Sequence, residues 1–228
     1  MRWMILLIVA STLSGLCCGS ANETGILDRD RPNITILFSF NPESYPRIIR
    51  KIYPQVAVWI TQPELKYART IYATKSGSKD SYWGADTRPY ALPVWYGIRN
   101  IEPRMTVDAV TGATPSGESF SIRWNVPPEL QGKTVDVHIE ANIAFDHNGA
   151  FPKSAKAGET NFSEVNGQPS LVWTARLTLA KTGQEVSPSI SGHGQVLGKD
   201  HAIYSDISKV TTAKGLFHYI KLIYAPGK

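Results

Sequence analysis

Seven runs of this chain alternate β-branched or aromatic residues with polar ones, with turn-forming residues between them, and that period constrains the fold more than any other feature. They are Ile34 to Phe40, Gln55 to Thr61, Tyr67 to Thr74, Ser119 to Trp124, Thr134 to Ala144, Leu171 to Leu179 and Leu216 to Tyr224. A period of two sends successive side chains to opposite faces of a strand, so each run can bury one face and wet the other. In the last run Phe217, Tyr219, Lys221 and Ile223 share one face, and His218, Ile220 and Leu222 share the other.

Strand after strand without intervening helical periodicity predicts a mainly β fold. The leading architecture is a single antiparallel β-sandwich, immunoglobulin-like, of seven or eight strands with long irregular loops. At most one short helix is expected, capped by Ser205-Asp206, carrying Ile207 and Val210, and closed by Gly215. Two stretches interrupt the strand pattern, Lys75 to Arg104 and Asp146 to Gln168, and loops of such length are often functional. The first holds Tyr82, Trp83, Tyr90, Trp95 and Tyr96. Those rings either form a stacking wall for a flat ligand or pack as core.

The amino terminus reads as a secretory signal peptide over residues 1–21. Arg2 precedes an apolar run from Trp3 to Leu13, and small residues follow at Ser14, Gly15, Gly19, Ser20 and Ala21. Cleavage after Ala21 leaves one β-sandwich domain over residues 22–228 and removes both cysteines, Cys17 and Cys18. The mature domain then has neither a disulfide framework nor a thiol nucleophile. A competing reading makes Cys17 or Cys18 a lipidated first residue, and only then would the chain contact the membrane. Either way the chain is expected to be exported, to the periplasm or cell envelope. The formal charge of +5 falls to +4 without Arg2 and is spread without a dense basic block, which with export argues against nucleic acid as a partner.

One segment carries a candidate chemistry. Asp108-Ala109-Val110-Thr111-Gly112-Ala113-Thr114 resembles the acceptor motif of exported flavoproteins that hold FMN through a phosphoester: an aspartate, two variable residues, Ser or Thr, Gly, Ala, and the Ser or Thr that is modified. Every fixed position is present. The resemblance makes Thr114 the FMN attachment point, with Asp108, Thr111, Gly112 and Ala113 as its recognition context. Gly112 and Ala113 leave room beside the Thr114 hydroxyl, and Asp108 can hydrogen-bond within the turn. The resemblance also implies a separate magnesium-dependent flavin transferase that moves FMN from FAD, with the redox chemistry belonging to the flavin. A surface turn between strands is the competing reading of Thr-Gly-Ala-Thr-Pro-Ser-Gly, and Pro115 biases Thr114 toward extended geometry.

Further segments widen the likeness: Gln55 to Ile60, Tyr67 to Thr70, Ile139 to Asn142 continuing to Phe145 to Asn148, and Val165 to Ser170. With the Asp108 motif they resemble a family of predicted periplasmic proteins of unknown function. Its members are often encoded near flavin transferases and small PepSY-type membrane proteins, which implies a flavin transferase and a membrane redox protein as partners. The chain does not resemble the usual FMN-binding domain, so no flavin pocket carries over.

Other chemistries are less well supported. Asp146-His147 and the stretch His193 to His201 contain metal-ligand types without ligand spacing. Ser116 lacks a nucleophile elbow, and Glu140, Asp146 and Glu164 cannot be paired across a scissile bond from sequence. The sequons at Asn33 and Asn161 matter only in a host that glycosylates. The expectation is therefore a non-catalytic exported accessory or electron-carrying protein of a flavin system. The alternative is an envelope binding module without a cofactor, using the aromatic stretch from Tyr82 to Tyr96.

Overall fold

The computed structural model describes residues 30–47, 52–63, 65–74, 88–101, 110–112 and 117–228. Among these residues lie β1 (Asn33–Phe40), β2 (Gln55–Gln62), β3 (Leu65–Thr74), α1 (Pro93–Ile101), β4 (Val110–Gly112) and β5 (Ser119–Asn125). They are followed by β6 (Thr134–Asn142), β7 (Leu171–Thr178), β8 (Gln184–Val186), β9 (Ser189–His193) and β10 (Phe217–Ala225). One sheet has the order β5-β1-β10-β8, and the other β4-β3-β2-β6-β7-β9. The fold is a mainly β sandwich, and each of the seven expected strands is present with its ends within two residues of the expected ones.

Inward residues of both sheets meet in one core. Ile34, Ile36, Phe38 and Phe40 of β1 face Val56, Val58 and Ile60 of β2, Val135, Val137 and Ile139 of β6, and Leu171, Trp173 and Leu177 of β7. The order of β10 departs from its simple alternation. Ser39 pairs with Tyr219 but Phe40 pairs with Phe217, so the register skips His218. That irregularity turns Phe217 inward, 5.2 Å from the Phe40 ring and edge-on to Trp173 at 5.2 Å. Phe217 thus joins Ile220 and Leu222 in the core, not Tyr219 and Lys221 on the outer face.

Three strands carried no sequence signal: β4, β8 and β9, which are too short to display a period. The first, β4, pairs parallel to β3 in an otherwise antiparallel sheet, with Val110 opposite Tyr72, Thr111 opposite Ala73 and Gly112 opposite Thr74. The expected helix over residues 205–215 is reduced to a 3-10 turn, Thr212–Gly215. The α-helix lies instead inside the stretch Lys75 to Arg104 that reads as irregular. Pro93 suits its first position, and nine residues are too few for helix without a surface to pack on. The second stretch, Asp146 to Gln168, is irregular as expected and is closed by a bridge between Asp146 and Gly167. Gly167 has φ +70, and a Cβ there would lie 2.4 Å from the Asp146 carbonyl carbon, so only glycine fits.

The outward face of the six-stranded sheet is a second, smaller core. Ala57, Trp59, Ala73 and Val172 from the sheet pack against Ala91, Leu92, Val94 and Trp95 from α1 and the turn before it. Residue for residue, β2 is apolar on both faces because both faces are covered.

Candidate functional site

Two features of the six-stranded sheet bear on function: its β4 edge and the polar groups beneath α1. Thr111 and Gly112 of the acceptor motif lie in β4, which stands at the end of the strand order beside β3. Asp108, Ala113 and Thr114 lie outside the described residues, as do Tyr82, Trp83 and the signal peptide. Among the described residues β4 pairs with β3 alone, so Val110 to Gly112 form an edge strand.

The helix is tied down at its start. Glu140, in the middle of β6 opposite Ala57 of β2 and Val172 of β7, points outward from the sandwich core yet is fully buried. Its Oε2 accepts from the Trp95 amide at 2.8 Å, and its Oε1 from the Val94 amide at 3.2 Å and the Ser170 hydroxyl at 2.6 Å. A carboxylate thus takes up amides of the first helical turn that have no partner within the helix. A Cβ on Gly194 would meet Pro93 at 2.6 Å and the Ser170 hydroxyl at 2.7 Å, so the socket is closed on that side. Burial pushes the Glu140 carboxyl up to about 7, with Ser170, Trp95 and Val94 pulling it back. Desolvation wins because the three donors carry only partial charges.

Trp95 also leaves the helix to donate its indole Nε1–H to Thr70 of β3 at 3.0 Å. Arg99, one turn on, stands 5.1 Å from the Trp95 ring and 5.5 Å from the Tyr96 ring. Trp95 is therefore core and is withdrawn from any ligand-stacking role, whether for an isoalloxazine or for the partner of a binding module. Tyr90 is partly buried, and the Asn166 amide reaches its carbonyl at 3.4 Å.

Two residues before Glu140 on the same face, His138 bridges Thr61 at 2.8 Å and Thr174 at 3.0 Å and stacks on Trp59 at 5.1 Å. Burial lowers its imidazole to about 4, against the upward pull of Asp136. This is a satisfied structural histidine that stays neutral through the physiological range.

The remaining sequence candidates separate. Asp146 accepts from Gln168 at 2.8 Å and from Thr212 at 2.5 Å, and burial raises its carboxyl. Glu164 is exposed with φ 48. The three carboxylates do not share partners, and among the described residues no group of three His, Cys, Asp or Glu side chains is placed to hold a metal ion. Likewise no helix among them is long and apolar enough to cross a membrane.

The sequence did contain a trace of the Glu140 socket. Ala57 and Trp59 are apolar at positions where β2 should be wet, and Val172 does the same on β7, which marks an outward face that is covered. No protein-family model, no curated protein and no solved structure matches this chain.

Proposed function

We propose that this chain is an exported, non-catalytic β-sandwich of a flavin redox system that carries FMN in phosphoester linkage on Thr114. The observation that carries the reading is the complete acceptor pattern from Asp108 to Thr114, whose middle residues form an edge strand among the described residues. An edge strand suits a modification site, because a transferase must reach the hydroxyl without unfolding a packed element. In the transfer, the Thr114 Oγ–phosphorus bond forms, the pyrophosphate bond of FAD breaks, AMP leaves and the hydroxyl proton passes to solvent. Once attached, the flavin supplies the electron transfer. The protein's part is to hold Thr114 two residues beyond an anchored strand. The Trp95 ring is committed to Thr70, which agrees with a carrier that presents its flavin to partners and does not enclose it behind that ring.

Co-expression of the full chain with a flavin transferase, followed by intact-mass measurement, tests this. An FMN-sized gain that disappears in Thr114→Val supports the reading. No gain, or a gain that survives the substitution, overturns it.

A further inference from the structure

We propose that Glu140 is a proton-linked latch for α1: while its carboxyl is protonated the first helical turn stays docked on the six-stranded sheet, and loss of the proton loosens it. The geometry has three parts. First, the carboxyl is fully buried and touches the helix directly, through the Val94 and Trp95 amides. Secondly, the socket is walled by Pro93, Ser170 and Gly194 and lies against Ala57 and Val172. A charge formed there has no solvent to turn to.

Thirdly, among the described residues no cation sets its proton affinity, and burial and the three donors are the influences on it. Of the elements packed around it, β2 brings Ala57 and Trp59, and β7 brings Val172 and Thr174, none of them ionisable near neutrality. His138 lies two residues along β6 and is bonded to Thr61 and Thr174. His193, beside Gly194, is hydrogen-bonded through Nδ1 to the Gly194 carbonyl. The His201 ring occupies the space above Gly97 on α1. Arg99 sits over the Trp95 and Tyr96 rings in the last turn.

When neutral, the carboxyl donates to the Ser170 hydroxyl oxygen and still accepts from both helix amides. Ionised, it keeps its acceptors filled but leaves a charge in an apolar layer, and undocking the helix rehydrates it. The direction follows from burial raising the carboxyl from its ordinary value of 4.5 to about 7. Docking is tightest below about pH 4.5, weakens as pH rises, and levels off above about 7. The latch acts on α1 itself, through the Val94 and Trp95 amides. It stands whether or not Thr114 carries a flavin.

Hydrogen exchange read by mass spectrometry on the full chain, for peptides covering residues 93–101, decides the matter once rates are corrected for their intrinsic pH dependence. Protection in the wild type is expected to fall about tenfold per pH unit between about 5 and 7 and then to plateau. Glu140→Gln removes the slope. Ser170→Ala removes a donor to the charged form and moves the plateau to higher pH, and His201→Asn leaves the slope in place. A flat wild-type profile overturns the proposal, as does an unchanged slope in Glu140→Gln or its loss in His201→Asn. Should Glu140→Gln fail to fold, an unmoved plateau in Ser170→Ala overturns it equally.

Discussion

On the four-stranded sheet the outward residues Thr35, Leu37, Ser39, Arg123 and Tyr219 reach solvent, Tyr219 with 48% of its surface exposed, while the outward residues Trp59, Glu140 and Val172 of the six-stranded sheet are sealed beneath α1. The two faces arise from the same alternation. They differ because one sheet has a helix laid across it, and the consequences are chemical as well as mechanical. On the open face Lys221 meets Glu185 in water at 2.8 Å, an arrangement that contributes little. On the covered face Glu140 sits without water and His138 is half-buried, and burial moves the two in opposite directions, Glu140 up and His138 down. Covering one face therefore turns ordinary strand residues into groups that titrate with the fold.

The largest test of this contrast is Trp95→Ala. Removing a fully buried indole and its bond to Thr70 is expected to destabilise the protein by about 4 kcal/mol in urea unfolding, with loss of the α1 docking surface. A loss below about 1 kcal/mol would show that α1 is not part of the folded core.

Next comes a pair of opposed pH slopes. Glu140 has a folded-state value near 7 against 4.5, so its contribution is complete below about pH 4.5 and is lost as pH rises to about 7. His138 has a folded-state value near 4 against 6.5, so its contribution is complete above about pH 6.5 and is lost as pH falls to about 4. Over complete unfolding, which frees both groups, the two nearly cancel in the wild type, whereas undocking of α1 alone leaves His138 on its bonds to Thr61 and Thr174. Glu140→Gln is expected to leave stability rising by roughly 3 kcal/mol between pH 4 and 6.5, and His138→Gln to leave it falling by roughly 3 kcal/mol between pH 4.5 and 7. Denaturant midpoints across that range check both, and slopes of the same sign in the two variants would refute the assignment.

Smaller still is Gly194→Ala, whose new methyl presses on Pro93 and Ser170 and is expected to cost about 2 kcal/mol by thermal melting. A neutral result would mean that the socket yields. Tyr219→Ser on the open face should change stability by no more than about 0.5 kcal/mol. A larger loss there would mean that the open face is held by packing after all.

These particulars also show what was legible in the sequence. Seven strands could be placed within two residues because β-branched alternation is a local signal carried by neighbours in the chain. The Phe217 shift could not be seen, since the skip at His218 belongs to the pairing with β1 and not to β10 itself. Nor could α1, whose nine residues become helical only over Trp59 and Val172. The acceptor motif was legible in full, yet its position at a parallel edge strand depended on β3, more than thirty residues upstream.

By itself, then, the sequence determined a strand-built chain with one side of each strand committed to a core, and the order of residues from Asp108 to Thr114. Tertiary structure alone decided that Glu140 is buried. Its partner amide on Trp95 is 45 residues away, and no local pattern encodes which outward face a distant helix will cover. Periodicity is a property of neighbouring residues, whereas desolvation, and with it the proton affinity of a side chain, is a property of what packs on top.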